Sequence, residues 1–321
     1  YVLGQNASTI TATLDNNIVN DAGLTGIYVY ASTGSTTLSG SISHNAISST
    51  GNHGIVFLAY NSGHIPSMTI DDNTIDSVEH SGIYTRCYNG STITGVVSNN
   101  TITSAGTNTG ASTRDGIYIQ TDAGNARNTL DVTGNTISGG GRYGIYSYVY
   151  NYARAAIDMD NNIIHGNAAA GIYLYDNSHA SSSGSISGNT VYDNNGHGIY
   201  AYILSTGTSQ PNIDHEIDGN TLYWSESHAS EHTYRGIYFY NRYSSRSNIE
   251  MTNNEIYNGA VGIHCLDEAN SGYYLNALIS GNHVHDNSGD GILGDERRQG
   301  SLTTELRGNT VTANGGTGIN V

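Results

Sequence analysis

The sequence predicts an all-β solenoid of about eleven coils, each built from three short parallel strands. Two recurring elements and the composition lead to this prediction. An asparagine followed two positions later by an aliphatic residue recurs at Asn17, Asn45, Asn73, Asn100, Asn135, Asn162, Asn189, Asn220, Asn254, Asn282 and Asn309. A Gly-Ile pair recurs at Gly26, Gly54, Gly82, Gly116, Gly144, Gly171, Gly198, Gly236, Gly262, Gly291 and Gly318. The 41 glycines, 25 tyrosines and only two prolines suit short strands and tight turns rather than helices.

The spacing of these elements defines one coil. The asparagine precedes its glycine by 9 residues in most copies (26 − 17 = 9), and by 16 in two copies (116 − 100 and 236 − 220). A repeat of this length along a whole chain is typical of solenoids, in which each unit packs only on its neighbours.

Each coil carries three inward columns of apolar residues. One stands three positions before each asparagine, one stands two positions after it, and the isoleucine of the Gly-Ile pair forms the third. Within each unit the alternation has a period of two, which indicates strands. The asparagines are expected at a turn, where they tolerate left-handed backbone angles and their amides can bond to each other from coil to coil. The glycines mark a second corner, which requires positive φ or close packing.

The repeated Gly-Asn-Thr-Val (188–191) and Gly-Ile-Tyr (198–200) units resemble those of right-handed parallel β-helix proteins, the broad pectate-lyase-like superfamily. The resemblance covers essentially the whole chain, so residues 1–321 are expected to form a single right-handed parallel β-helix. It implies no single function, because the superfamily contains lyases, hydrolases, epimerases, phage tailspikes and non-catalytic adhesins. The repeat continues to both ends without a polar cap, which favours a segment of a longer secreted or cell-surface protein.

The charge balance excludes two classes of partner. The net charge is −16 and all 11 basic residues are arginine, which argues against nucleic acid and against an anionic membrane surface. No apolar run is long enough to span a membrane. Cys87 and Cys265 lie six coils apart, roughly 29 Å along the axis, and are predicted not to pair. Cys265 is predicted to be a core residue, whereas the orientation of Cys87 stays open.

Tyrosines two and four positions after the corner glycines are expected on the outer face. Two loops, 103–115 and 223–235, carry the longer spacings and bracket three strands with doubled tyrosines, which together describe a groove. Its predicted ligand-binding residues are Tyr146, Tyr148, Tyr173, Tyr175, Tyr200, Tyr202 and Trp224. Three interpretations stay open: rings that only stabilise neighbouring strands, a flat platform on which sugar rings stack, or a face that buries against another copy of the chain.

Charged residues give further candidates. Asp131, Asp158 and Asp160 are expected on neighbouring coils, as are Glu216, Asp218 and Glu250, where they would hold calcium, act as an acid/base pair or simply keep the surface charged. Glu255, His283 and His285 share an outward face and form a plausible set of transition-metal ligands. No cofactor is required by the sequence, with calcium the candidate ion.

Gly196-His197-Gly198 resembles the Gly-His-Gly motif of polygalacturonases, but the rest of that signature is missing. The absence of lysine also excludes enzymes of this fold that depend on a lysine base.

Two functional hypotheses follow. The first is an extracellular structural or adhesive segment that has a carbohydrate-binding groove and either glycan or its own copies as partner. The second is a polysaccharide lyase or glycoside hydrolase that acts between the two loops, with Asp158, Asp160, Arg154, Glu226, His228 and His232 as candidate catalytic residues.

Overall fold

The computed structural model describes residues 1–33, 36–111, 113–205, 212–225 and 233–321. These residues form strands and turns with no helix, so no helix among them is long and apolar enough to cross a membrane. The strands are arranged in three parallel sheets that run the length of the chain. The predicted all-β solenoid of about eleven three-stranded coils is therefore confirmed.

Each coil contributes one strand to every sheet, in the order first, second, third. The first sheet contains β1 Val2–Gly4, β4 Ile27–Ser32, β7 Ile55–Tyr60, β10 Ile83–Tyr88, β13 Ile117–Asp122, β16 Ile145–Tyr150, β19 Ile172–Asn177, β22 Ile199–Ser205, β25 Arg235–Tyr243, β28 Val261–Ala269, β31 Ile292–Glu296 and β34 Ile319–Asn320. The second contains β2 Thr9–Asp15, β5 Thr37–Ser43, β8 His64–Asp71, β11 Thr92–Ser98, β14 Arg127–Thr133, β17 Arg154–Asp160, β20 Ser181–Ser187, β23 Asn212–Asp218, β26 Arg246–Thr252, β29 Tyr274–Ser280 and β32 Ser301–Arg307.

The third sheet is the narrowest, with strands of three residues each. It contains β3 Ile18–Asn20, β6 Ala46–Ser48, β9 Thr74–Asp76, β12 Thr101–Thr103, β15 Thr136–Ser138, β18 Ile163–His165, β21 Thr190–Tyr192, β24 Thr221–Tyr223, β27 Glu255–Tyr257, β30 His283–His285 and β33 Thr310–Thr312.

The core is a set of aliphatic columns in strict register. Ile145 pairs with Ile172, and Ile172 with Ile199, so identical side chains lie on one another along the axis. All three are fully buried. Burial of such a side chain stabilises the fold by about 1.5–3 kcal/mol, which explains why the register is fixed coil by coil. Cys87 and Cys265 both lie in this core as free thiols, six strands apart in the first sheet.

The asparagine column forms the predicted ladder. The Nδ2 of Asn162 donates to the Oδ1 of Asn189 at 2.9 Å and to the carbonyl oxygen of Val132 at 2.8 Å. The expectation of left-handed backbone angles at these asparagines is wrong, because the residue before each of them takes that conformation, as Asn161 (φ 55°) and Gly188 (φ 62°) do. The left-handed residue turns the chain, and the next asparagine can then point inward and bond along the axis.

The glycine corner is explained by close packing, since none of the eleven column glycines has a positive φ. A Cβ on Gly198 would lie 2.7 Å from the carbonyl oxygen of Gly236 and 2.9 Å from the Cδ2 of Leu222, both in the next coil. The missing Cβ therefore leaves room for the core side chain of the following coil.

Candidate functional site

Tyrosines on the outer side of the first sheet form a continuous stack, which we call the first column. Adjacent ring centroids are 4.9 to 5.1 Å apart and the ring planes differ by 5° to 17°, through Tyr84, Tyr118, Tyr146, Tyr173, Tyr200 and Tyr238. Histidines cover both ends of the stack, with His53 against Tyr84 at 4.9 Å and His264 against Tyr238 at 5.0 Å. The spacing follows from the register, because parallel strands repeat at nearly this distance.

A second column of tyrosines runs beside the first, two residues further along each strand. It contains Tyr148, Tyr175, Tyr202 and Tyr240, with centroids 5.0 to 5.4 Å apart. The two columns together are called the tyrosine face below.

The orientation of the rings corrects one expectation. Because the rings stack along the solenoid axis, their faces are covered by one another, and Tyr146 and Tyr173 are only 8% and 9% exposed. The flat platform for stacking of sugar rings is therefore absent. What the tyrosine face offers to solvent is ring edges and phenol hydroxyls.

Several of these hydroxyls are free. Within the described parts of the chain, the hydroxyls of Tyr146, Tyr148, Tyr173 and Tyr200 have no hydrogen-bond partner, and these oxygens are not buried. Burial raises the pKa of the Tyr148 phenol to about 12, and it raises the pKa of the other three as well. All four therefore stay neutral at physiological pH and can both donate and accept a hydrogen bond.

The loop 103–115 places an arginine beside the first column. It ends at Asp115, which is fully buried and binds Arg142 of the next coil through two contacts, Nε to Oδ1 at 2.8 Å and Nη2 to Oδ2 at 2.6 Å. This two-pronged pair holds the guanidinium 4.8 Å from the ring centroid of Tyr146.

The loop 223–235 also places an arginine beside the first column, and this arginine is the last residue of the loop, Arg235. The guanidinium of Arg235 lies 4.3 Å from the ring centroid of Tyr238, and its Nε donates to the Nδ1 of His264 at 2.7 Å. The strands that follow the two loops, β13 and β25, are four places apart in the first sheet, as predicted. The tyrosine face therefore has an arginine near each loop.

Trp224 does not line this face. It is 4% exposed, and its Nε1 donates to the carbonyl oxygen of Asn194 at 2.9 Å, so the indole is held against the preceding coil and is not placed to contact a ligand. Glu226, His228 and His232, predicted as catalytic candidates in the same loop, lie outside the described residues.

His197 has a structural role in this region. Its Nδ1 accepts the backbone N–H of Arg235 at 3.0 Å. Burial, with the charge of Arg235 as a smaller contribution, lowers the pKa of His197 to about 3. The imidazole is therefore neutral, and the resemblance to the Gly-His-Gly motif reflects a partly buried backbone contact.

The remaining catalytic candidates are not in the groove. Asp158, Asp160 and Arg154 all belong to β17 in the second sheet, whereas the tyrosine face belongs to the first sheet. Asp158 and Asp160 both accept from the Ser185 hydroxyl, at 3.1 and 3.2 Å. The acid pair and the groove are therefore two different places.

Two arginines line a shallow depression on the second sheet. It has a volume of about 490 Å³ and is lined by Arg127 and Arg154 together with small side chains of three coils. Both guanidiniums are exposed, and neither forms an ion pair among the described residues. Such a depression can receive an anion, but it faces away from the tyrosine columns.

A buried polar network, missed from the sequence, lies where the first sheet passes into the second. The Ser182 hydroxyl contacts the Asp176 carboxyl and lies 2.8 Å from the His215 Nε2, and the His215 Nδ1 lies 3.3 Å from the carbonyl oxygen of Gly184. The serine stands between the acid and the histidine, so this is not the order of a nucleophilic triad, in which the histidine is central. Asp176 occupies an inward position of β19, and the period-two pattern alone would have placed it in the core.

The protons in this network can be assigned from burial. Two arrangements satisfy every contact: a charged Asp176 with a charged His215, or a neutral carboxyl that donates to Ser182, whose hydroxyl then donates to a neutral His215. Burial raises the pKa of Asp176 to about 7 and lowers that of His215 to about 4. The neutral arrangement is therefore favoured.

The predicted metal ligands do converge. Glu255, His283 and His285 lie on the outer side of the third sheet, and one ligand atom from each falls within 4.8 Å of the others. Among the described residues no other group of three acid, histidine or cysteine side chains does so. The two acidic clusters, for which calcium binding was one of three alternatives, are not among the convergent groups.

Comparison with known proteins places the chain in a family. The sequence matches the family described as right handed beta helix region over residues 1–215 and 179–321, so the two matches together span the chain. No curated protein sequence gives a significant match.

Three solved structures are similar in fold. The catalytic unit of a thermostable GH87 alpha-1,3-glucanase from Streptomyces thermodiastaticus has 15% identity and a TM-score of 0.52, over 98% of this chain and 64% of that unit. A periplasmic alginate epimerase has 12% identity and a TM-score of 0.43, over 94% of this chain and 78% of that one. The A-module of a mannuronan C-5 epimerase from Azotobacter vinelandii has 14% identity and a TM-score of 0.39, over 97% and 90%.

The similarity to the glucanase unit concerns the fold alone, and this chain spans about two thirds of the length of that unit. The family match, the three parallel sheets and the stacked columns agree with one another. The chain belongs to the right-handed β-helix family.

Proposed function

We propose that this chain binds a neutral polysaccharide along its tyrosine face without cleaving it. The observation that carries this proposal is the row of free hydroxyls on Tyr146, Tyr148, Tyr173 and Tyr200. The first column repeats at 4.9 to 5.1 Å, a distance similar to the advance per sugar unit of an extended glycan. Successive sugars can therefore meet equivalent hydroxyls on successive coils.

The charges favour a neutral glycan over an acidic one. The chain carries a net charge of −16, which repels a polyanion at long range. The arginines near the face also have partners. Arg142, Arg86 and Arg242 pair with the carboxylates of Asp115, Asp122 and Glu268, and Arg235 donates to the His264 ring. A neutral sugar needs neither an unpaired cation nor a metal, only donors and acceptors of the kind that phenols supply.

A non-catalytic role fits the carboxylates beside the tyrosine face. Asp122 is bound by Arg86 at 2.9 Å, and Glu268 accepts from the Tyr240 hydroxyl at 2.5 Å while lying 3.5 Å from Arg242. Glycoside hydrolysis needs one free carboxylic acid and one free carboxylate across the scissile bond. A rigid solenoid that displays repeated hydroxyls suits adhesion to a glycan, and a location at the cell surface or outside the cell is part of this proposal.

The test is affinity electrophoresis of the purified chain in gels that contain neutral glucans or, in parallel, alginate and pectate. We expect retardation by a neutral glucan. Tyr173→Phe and Tyr200→Phe remove only a hydroxyl and keep the ring stack, and each is expected to weaken binding about fivefold, the equivalent of about 1 kcal/mol for one hydrogen bond. Tyr223→Phe, in a separate ring stack on the third sheet, is the matched control and is expected to leave binding unchanged.

Two results would overturn the proposal. Release of reducing ends or unsaturated products by the purified chain would show an enzyme. Retardation by acidic glycans alone, or equal loss of binding in the Tyr173, Tyr200 and Tyr223 variants, would place the ligand elsewhere.

A further inference from the structure

The outer side of the third sheet carries a group of side chains suited to a metal ion. Glu255 begins β27, and His283 and His285 are the first and last residues of β30. The register pairs Glu255 with His283 and Tyr257 with His285, so the three side chains come from two neighbouring coils. The Glu255 Oε1 lies 3.8 Å from the His283 Nδ1 and 3.8 Å from the His285 Nε2.

The ring of His285 is held in place before any ligand arrives. It stacks on Tyr257 at 5.0 Å with a ring-plane angle of 10°, at the end of a stack that begins at His165 and continues through Tyr192 and Tyr223. Stacking fixes the ring plane, and the backbone register fixes its height on the solenoid.

The proton on His285 is also determined. Its Nδ1 lies 2.7 Å from the Oδ2 of Asp286, so this nitrogen carries the proton and donates it to the carboxylate. The Nε2 is buried and has no hydrogen-bond partner among the described residues. It lies 3.8 Å from the Glu255 Oε1, and its lone pair is not used by any hydrogen bond there. Carboxylates that accept from one nitrogen of a histidine while the other nitrogen binds metal are a regular feature of metal sites.

We propose that Glu255, His283 and His285 bind one divalent transition-metal ion, with Zn²⁺ as the reference ion. Two imidazole nitrogens and one carboxylate oxygen suit Zn²⁺, Ni²⁺ or Cu²⁺, whereas Ca²⁺ and Mg²⁺ prefer sets of oxygen ligands.

Metal binding requires the three side chains to move closer together. Bonds of about 2.1 Å in a tetrahedral arrangement put ligand atoms about 3.4 Å apart. The distance from the Glu255 Oε1 to each histidine nitrogen is 3.8 Å here, and all three ligand atoms lie within 4.8 Å of one another. Glu255 and His283 each have about half of their side chain exposed (50% and 49%), so both can rotate toward the fixed His285. With three protein ligands, the ion keeps at least one position for water or another ligand.

Binding would join two coils, and this predicts a measurable effect on stability. An ion that binds only the folded chain shifts the folding equilibrium in proportion to its saturation, about 100-fold at a free concentration of 100 times Kd. The metal is therefore expected to raise the melting temperature of the wild type and not that of a variant without the site.

The experiment uses the full chain without a polyhistidine tag, treated with EDTA and desalted. Zn²⁺ is titrated at about pH 7.5 by isothermal calorimetry, and Co²⁺ by its visible absorption. We expect one saturating equivalent in the wild type and its loss in Glu255→Gln and His285→Ala. Asp286→Asn is expected to weaken binding 10- to 100-fold, because it removes the carboxylate that orients His285. His165→Ala, at the opposite end of the same ring stack, is the matched control and should bind as the wild type does.

The metal-free melting temperatures of Glu255→Gln and Asp286→Asn should match that of the wild type, since both side chains are at least half exposed (50% and 56%). An absence of saturable binding in the wild type would overturn the proposal. Binding that persists in Glu255→Gln and His285→Ala, or that Ca²⁺ displaces as readily as Zn²⁺, would do so too.

Discussion

The substitution Asp176→Asn is expected to stabilise the protein at neutral pH. An asparagine amide donates to the Ser182 hydroxyl as the neutral carboxyl does, so the buried network keeps its contacts. Burial raises the pKa of Asp176 from 3.8 to about 7 in the folded state. Between these pH values, ionisation of residue 176 lowers the free energy of the unfolded chain but not that of the folded chain. The folded state therefore loses stability as the pH rises.

The magnitude follows from this difference. The folded and unfolded pKa values of Asp176 differ by 7 − 3.8 = 3.2, and each unit corresponds to about 1.36 kcal/mol. Asp176 therefore lowers the free energy of unfolding of the wild type by about 4 kcal/mol at pH 7 and above, and by almost nothing below pH 4. The stability of Asp176→Asn relative to the wild type should therefore rise by about 1.4 kcal/mol per pH unit between these limits.

Guanidinium denaturation followed by circular dichroism at about pH 4.5, 6 and 7.5 measures this difference. Hydrogen exchange in β19 and β20 adds a local readout, because a solenoid can unfold in sections. Asp131→Asn, an exposed carboxylate on the second sheet, controls for loss of charge. A variant less stable than the wild type at pH 7.5, or a stability difference that does not change with pH, would refute the neutral carboxyl.

Three further predictions concern the fold. Asn189→Ala leaves the buried backbone N–H of Asn162 without its acceptor and should cost about 2–4 kcal/mol, seen as a lower melting temperature; an unchanged melt would contradict the ladder. Gly198→Ala forces the next coil away and should lower the melting temperature further than an alanine at an exposed turn glycine such as Gly219, despite the positive φ there. Burial lowers the pKa of His53 and of His197 to about 3, so the free energy of unfolding should decrease as the pH falls from 6.5 toward 3. A His197→Gln variant that still folds should therefore unfold at a lower pH than the wild type.

The repeat made most of the fold predictable. The fixed separations of the asparagine and glycine columns predicted the length of one coil, and the alternation within each unit predicted which residues point inward. The number of strands and their register could be predicted from these two patterns. The conformation of the turn was harder to predict from the sequence. The ladder contact and the left-handed backbone angle belong to two neighbouring residues, Asn162 and Asn161. A pattern of residue types does not separate two adjacent roles in one turn.

The candidate site was predicted only in part. The sequence predicted the strand positions of the tyrosines and of Glu255, His283 and His285, because these positions depend on register alone. It missed the direction of the rings, which depends on side-chain torsions rather than on strand position. It also missed the burial of Trp224, whose indole contacts the turn at Asn194, and the link from Asp176 through Ser182 to His215, which joins inward side chains of two different sheets. Such contacts have no period for a repeat analysis to detect.

The strict register also bears on how the chain folds. Paired residues in regular coils, such as Ile145 and Ile172, are 27 positions apart, in a chain of 321 residues. This separation gives a relative contact order of about 0.08, in the range of fast-folding helical bundles rather than of β-sandwiches. Each coil can dock on the one before it without waiting for a distant segment. A protein made entirely of strands is thereby expected to fold through local steps, growing from one formed coil as a template for the next.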